Sequence, residues 1–122
     1  MVSISIIIVS WNVREHLVRC LNSIARMSGD VSLEVFVVDN ASTDGTVEML
    51  RNLQLTTYNL QLIYNSMNRG FAAANNQAMR KVKGKYIFLL NPDTELQESA
   101  LQQMVAFMES HQRCGVLGPK LV

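Results

Sequence analysis

Runs of β-branched and apolar residues alternate along this chain with stretches in which apolar positions recur every three or four residues. Residues 5–9, 33–39, 60–64 and 85–90 read as strands, and 115–118 as a fifth. Tyr86-Ile87-Phe88-Leu89-Leu90 has no polar interruption, the pattern of a strand buried on both faces. Between the strands, Val13, Leu17, Leu21 and Ile24 fall at helical spacing, as do Leu101, Met104, Val105 and Met108. Residues 46–53 and 71–82 complete a set of four helices, the latter helped by its alanines. Thr94 followed by Gln97 predicts a capping box that opens the last helix. The alternation predicts an α/β fold, a Rossmann-like, mostly parallel sheet with helices on both faces and right-handed crossovers.

With 122 residues the chain is one domain, large enough for a real core. Apolar residues make up 48%, charged residues 17%, and the net charge is +1, so no basic excess points to nucleic acid. Cys20 and Cys114 match no metal-ligand spacing and read as two buried, reduced thiols of a cytoplasmic protein. The opening run from Ile4 to Val9 is too short to span a bilayer, and no basic segment precedes it, so no signal peptide is expected.

In an open α/β sheet, ligands bind at the carboxyl ends of the strands, so the strand ends hold the candidate chemistry. The fourth strand runs into Asn91-Pro92-Asp93, where Pro92 cannot join a sheet ladder and Asn and Asp favour a turn. A carboxylate delivered there suits a hard divalent cation that also holds a diphosphate. The first strand ends in Ser10-Trp11-Asn12, without the glycines of a dinucleotide fold or the Gly-Lys-Ser/Thr of a P-loop. Ser10 and Asn12 can instead offer a hydroxyl and an amide to a nucleotide base, although Asn12 also suits a helix cap. The second strand ends at Asp39, whose carboxylate can accept from a base imide or a ribose hydroxyl. Asp44, in the loop that follows, reads as a cap or brace. After the third strand, Asn68-Arg69-Gly70 offers a phosphate-matching guanidinium and a glycine able to take a positive φ. Ala72 to Ala74 keep the start of the next helix slim enough to lie close to a ligand. Asn75 and Asn76, poor helix formers, point to a packing or functional reason.

Four segments together resemble the nucleotide-sugar-binding half of family 2 inverting glycosyltransferases with the GT-A fold. They are Ser5-Ile6-Ile7-Ile8-Val9-Ser10-Trp11-Asn12, Val37-Val38-Asp39-Asn40-Ala41-Ser42-Thr43-Asp44-Gly45-Thr46, Asn68-Arg69-Gly70-Phe71 and Phe88-Leu89-Leu90-Asn91-Pro92-Asp93. The Asn-Pro-Asp form looks most like the rhamnosyltransferase-like branch that builds bacterial surface polysaccharides. The resemblance implies that Asp39 contacts the donor base, that Arg69, with Asn68 and Gly70, lies near base or phosphates, and that Ser10 and Asn12 line the nucleotide pocket. It implies that Asp93, with Asn91, binds Mg²⁺ or Mn²⁺ bridging the diphosphate of a nucleoside diphosphate sugar. The acceptor would be a carbohydrate or a lipid-linked hydroxyl, and the location cytoplasmic, including the periphery of the inner membrane face.

Asn91 stands where the family's metal motif has its first Asp; an amide oxygen can coordinate but brings no charge. The resemblance places the catalytic base and most of the acceptor site beyond residue 122, so residues 1–122 are expected to form the donor-binding domain of a longer enzyme. His16 and His111, in helical patterns, read as surface residues, and Glu95 as a first-turn helix acid. The apolar segment from Gly115 to Val122 should leave an exposed edge or patch that favours self-association. Two other readings separate from this one. A donor-binding module without transfer activity shares every nucleotide-site residue and differs in turnover. A receiver domain of a signalling switch needs acids where this chain has Ser10-Trp11-Asn12 and Asn65, and only Lys120 matches its pattern.

Overall fold

A computed structural model describes residues 1–53 and 58–118. The elements follow the order β1 (Ile4–Ser10), α1 (Arg14–Met27), β2 (Leu33–Asp39), α2 (Thr46–Asn52), β3 (Asn59–Tyr64), α3 (Phe71–Met79), β4 (Tyr86–Leu89) and α4 (Ala100–Ser110). The strands pair in parallel in the order β3-β2-β1-β4. The mostly parallel α/β sheet read from the alternation is the one observed.

Period-two alternation in β1 and β2 builds two cores, one on each face. Ile4, Ile6 and Ile8 with Leu33, Val35 and Val37 meet Leu17, Cys20, Leu21 and Ile24 of α1, Leu50 of α2 and Leu101 of α4. Ile7, Phe36 and Val38 meet Ala74 and Ala78 of α3 on the other face. Phe36 is fully buried, which stabilises the fold by about 2–3 kcal/mol. Chain direction explains the two faces. β1, β2 and β3 step one way across the sheet, and β4 returns to the far side of β1, so α3 crosses on the opposite face. This reversal puts the topological switch point between the carboxyl ends of β1 and β4.

Several sequence expectations need correction. β4 is not buried on both faces: Ile87 is 46% and Leu89 44% exposed. Their register partners are Ser5 and Ile7, which places them on the α3 face, but α3 packs over β1 and β2 and leaves this edge uncovered. Residues 115–118 form no strand. With glycine at positions 115 and 118, the segment runs beside β4 without pairing, and Val116 is almost wholly exposed. The expected apolar patch is therefore present, made by the β4 edge and Val116; residues 119–122, including Lys120, lie outside the described residues.

The capping box is absent. α4 begins at Ala100 behind Ser99, with no side-chain cap, because Leu96 is drawn into the core and Glu95 precedes the helix rather than sitting in its first turn. α3 ends at Met79, not at residue 82, since the chain must leave the helix to reach a polar pin at the amino end of the sheet. There the buried Glu34 carboxylate accepts from Ser5 Oγ (2.6 Å), the Lys83 amide (2.6 Å) and Gln61 Nε2 (3.2 Å), while the Gly84 amide donates to Ser5 Oγ (2.8 Å). Both cysteines are free; Cys20 is buried as expected, whereas Cys114 is only half-buried.

Candidate functional site

The parallel ladder runs level to the carboxyl edge. Ser10 and Asp39 are register partners, the Asn40 amide donates to Ser10 O (2.9 Å), and the Asn65 amide donates to Asp39 O (2.9 Å). On the far side of β1, the Leu90 amide donates to Ile7 O (3.0 Å) and carries β4 to the Asn91-Pro92-Asp93 turn. Neighbouring strands lie about 4.8 Å apart, so β2 and β4 are roughly 10 Å apart laterally across β1, with β4 ending level with Ile7 and Asp39 level with Ser10. A nucleoside diphosphate has the reach to bridge that span.

Asp39 is 1% exposed and firmly held. Its Oδ1 accepts from Ser10 Oγ (3.0 Å) and Ser42 Oγ (2.6 Å), and its Oδ2 accepts from the Ser42 amide (3.0 Å). A carboxylate has about four acceptor positions, so one on Oδ2 remains. Ser10 is fully buried with its hydroxyl donated to Asp39, which places it beneath the edge as a support. Asn12 is exposed and adopts φ 53°, and its side chain accepts from the Thr43 amide (2.7 Å) while its own amide donates to Ser42 Oγ (2.9 Å). It therefore ties the loop after β1 to the loop after β2; the residue before α1 is Val13, so Asn12 is not the helix cap.

Asp44 is the brace that its position suggested. One carboxylate oxygen accepts from the Arg14 amide (3.0 Å), and the other from the amide (3.1 Å) and hydroxyl of Thr46, so one side chain fixes the starts of α1 and α2. Burial disfavours its charge, but the Thr46 hydroxyl and the backbone amides outweigh that and hold the carboxyl below its ordinary value.

The segment after β3 is held by a neutral amide network. Asn40 Oδ1 accepts from Asn65 Nδ2 (2.9 Å) and the Arg69 amide (3.3 Å), and Asn40 Nδ2 donates to Gly70 O (3.2 Å). Asn65 and Gln77 exchange two bonds of 2.8 Å. Asn68 Oδ1 accepts from the Gly70 amide (2.8 Å), and Gly70 takes φ 83°, ψ 171°, a region open essentially to glycine alone. Arg69 is thereby fixed at its backbone, while its side chain is exposed beside the end of β2. Asn75 donates back to Phe71 O (3.1 Å), while among the described residues its buried Oδ1 has no partner. The sequence reading gave Asn40 and Gln77 no role, and Asn65 only as a departure from the receiver pattern. Two of them sit at strand ends, which was a usable signal; Gln77 lies mid-helix and carried none. Trp11, 55% exposed at the end of β1, was likewise passed over as a side chain.

Asn91 and Asp93 are exposed at the opposite corner, in a turn closed by the Thr94 amide on Asn91 O (3.1 Å). Among the described residues no three His, Cys, Asp or Glu side chains cluster as a self-sufficient metal site. One carboxylate and one amide oxygen fit instead a hard cation that takes its remaining ligands from water and substrate phosphates, the habit of Mg²⁺. Beneath the turn, burial and then the charges of Asp93 and Glu95 push the Cys20 thiol up to about 12, so it stays neutral. His16 and His111 are exposed, as anticipated.

Comparison with known proteins bears on the family and the fold. The model of the family described as Glycosyl transferase family 2 matches residues 5–120. TuaG of Bacillus subtilis, named for teichuronic acid biosynthesis, is 29% identical over 105 residues, which are 86% of this chain and 41% of that protein. The mannosyltransferase PcManGT of Pyrobaculum calidifontis, solved with GDP-Man and Mn²⁺, superposes with a TM-score of 0.79 at 28% identity over 86% of this chain and 32% of that one. The Staphylococcus aureus TarS fragment 1–349 bound to UDP shares the fold, with a TM-score of 0.78 at 24% identity over 97% of this chain and 38% of that one. The chain thus spans well under half the length of each of these relatives. Among the described residues no helix is long and apolar enough to cross a membrane.

Proposed function

Because the chain belongs to glycosyl transferase family 2, we propose that it binds the donor, a nucleoside diphosphate sugar, across the carboxyl end of β1, and that the protein carrying it transfers the sugar to an acceptor hydroxyl. The observation that carries this reading is the placement of Asp39 and the Asn91–Asp93 turn on either side of the switch point.

The free acceptor position on Asp39 Oδ2 takes a hydrogen bond from the base imide or a ribose hydroxyl. Ser10 and Ser42 keep that carboxylate in one orientation, and Asn12 holds the two loops in register. Arg69 supplies a cation beside the base and phosphates, with its backbone set by Asn40, Asn68 and Gly70. Asp93 and Asn91 hold Mg²⁺ or Mn²⁺, which when bound offsets the charge of the departing nucleoside diphosphate. The acceptor hydroxyl attacks the anomeric carbon opposite the leaving group, the anomeric C–O bond to the diphosphate breaks, the hydroxyl proton passes to a base of the protein carrying this chain, and configuration inverts. A role in bacterial surface polysaccharide synthesis is supported by the likeness to TuaG, named for teichuronic acid biosynthesis. The exposed edge of β4 and Val116 give a second copy of the chain an apolar face to pack against.

Trp11 is the chain's single tryptophan and stands at this edge, so its fluorescence reports occupancy. Titration of UDP, GDP and dTDP with Mn²⁺, and again with EDTA, should show one nucleotide binding, more tightly with Mn²⁺ than with EDTA. Absence of binding by all three would overturn the proposal. Metal-dependent binding by a full-length protein that turns over no sugar would select a binding module instead.

A further inference from the structure

The turn proposed to hold the metal carries a weak donor set, so how firmly it is fixed matters more than it would for two carboxylates. Its ends, Leu90 and Leu96, are both buried in the core beneath α1. Two α1 side chains, one turn apart and both fully buried, lie under the turn. Ser23 Oγ donates its only hydrogen to Cys20 O (2.7 Å), which leaves the oxygen as an acceptor, and the Leu96 amide donates to it at 3.0 Å. Cys20 Sγ approaches Asn91 O at 4.0 Å. The five residues 91–95 are therefore stapled at both ends to one helix, while Asn91 and Asp93 stay exposed above it.

We propose that Ser23, assisted by Cys20, is a positioning residue for the metal: it sets the pose in which Asn91 and Asp93 present their oxygens. This rests on the assignment of Asp93 as the metal ligand. The polarity of the staple is determined, because a hydroxyl whose hydrogen already goes to its own helix can only accept from Leu96. Loss of that acceptor leaves a buried amide unpaired and frees the turn, lowering affinity for the cation without touching the base pocket at the end of β2. A merely structural Ser23 would instead change both affinities together, or neither.

The test compares Ser23→Ala and Ser23→Thr with the parent, using whichever of UDP, GDP and dTDP the parent binds. Nucleotide affinity is measured in EDTA, and Mn²⁺ affinity is measured by the electron paramagnetic resonance signal of free Mn²⁺ in the presence of nucleotide. Ser23→Ala should weaken Mn²⁺ binding about tenfold, the effect of leaving one buried amide unpaired, with the EDTA affinity within twofold; Ser23→Thr, which keeps the hydroxyl, should restore the parental value. Unchanged Mn²⁺ affinity in Ser23→Ala, or equal losses with and without metal, would overturn the proposal. Hydrogen exchange on the parent chain gives an arm that needs no nucleotide: the Leu96 amide should exchange as slowly as core amides, and exchange at exposed-loop rates would also overturn it. Failure of the parent to bind any nucleotide counts against the donor site, and the exchange result still judges the staple.

Discussion

Removing the Ser10 hydroxyl tests the architecture of the donor edge at its most buried point. Ser10 is fully buried, and its hydroxyl donates to Asp39 Oδ1 at 3.0 Å. Ser10→Ala removes one hydrogen bond to a charged group, worth about 1.5–3 kcal/mol, and adds no bulk. Asp39 keeps its two bonds from Ser42, so the fold should survive. For a domain of this size each kcal/mol moves Tm by about 4 °C, so a loss near 2 kcal/mol lowers Tm by about 8 °C. Urea unfolding followed by far-ultraviolet circular dichroism measures it. A double-mutant cycle with Asp39→Ala should show a coupling of about 1 kcal/mol or more. Asp39→Ala itself strips the acceptor from three donors, so its loss of nucleotide affinity has to be read beside its loss of stability. If Ser10→Ala unfolds within 0.5 kcal/mol of the parent, or the coupling vanishes, Ser10 does not hold Asp39 and the reasoning fails.

Other consequences lie elsewhere in the molecule. A Cβ at Gly84 would stand 2.5 Å from the Ser5 amide nitrogen and 2.8 Å from the Ile4 carbonyl carbon, so Gly84→Ala should cost about 2–3 kcal/mol in urea unfolding; a neutral result would contradict the close approach. The lowered folded-state pKa of Asp44 means that its contribution is present above its ordinary pKa and is lost as pH falls through the folded value, below about pH 4. Asp44→Asn should therefore flatten the stability profile below about pH 4, and a parallel profile would remove the brace from the account. The parent chain should associate as concentration rises in light scattering, and Ile87→Lys, at an exposed position on the β4 edge, should keep it monomeric; a monomeric parent would show that this edge drives no association.

How much of this was legible in the sequence follows from what each pattern encodes. The central strands announced themselves because Ile4 to Val9 and Val35 to Val38 need apolar partners on both faces. β4 carries the same kind of run yet lies half-exposed, since local hydrophobicity does not say whether a strand will be central or at an edge. The segment at 115–118 failed as a strand although the β4 edge beside it is open, because Gly115 and Gly118 weaken pairing that its apolar residues alone suggested. Asp39 and Asp93 drew notice as strand-end carboxylates with no evident capping duty, but Asp39 has one: it braces its own loop through Ser42. The supporting roles of Ser10 and Ser42, the Asn40–Asn65–Gln77 amide network and the Ser23 staple were not legible. Apart from the Ser42–Asp39 pair, three residues apart, they join residues 12 to 73 positions apart in the chain, and none leaves a periodic trace.

The central claim is that a nucleotide-bound divalent cation sits at the β4 corner of the carboxyl edge. Backbone amide spectra of the ¹⁵N-labelled chain, saturated with the nucleotide it binds and given substoichiometric Mn²⁺, test this directly through paramagnetic broadening. The account predicts that the amides of Asn91, Asp93, Thr94 and Trp11 broaden first, and that Asp93→Asn abolishes the effect while the rest of the spectrum stays dispersed. Broadening centred elsewhere, or persisting in Asp93→Asn, would contradict it.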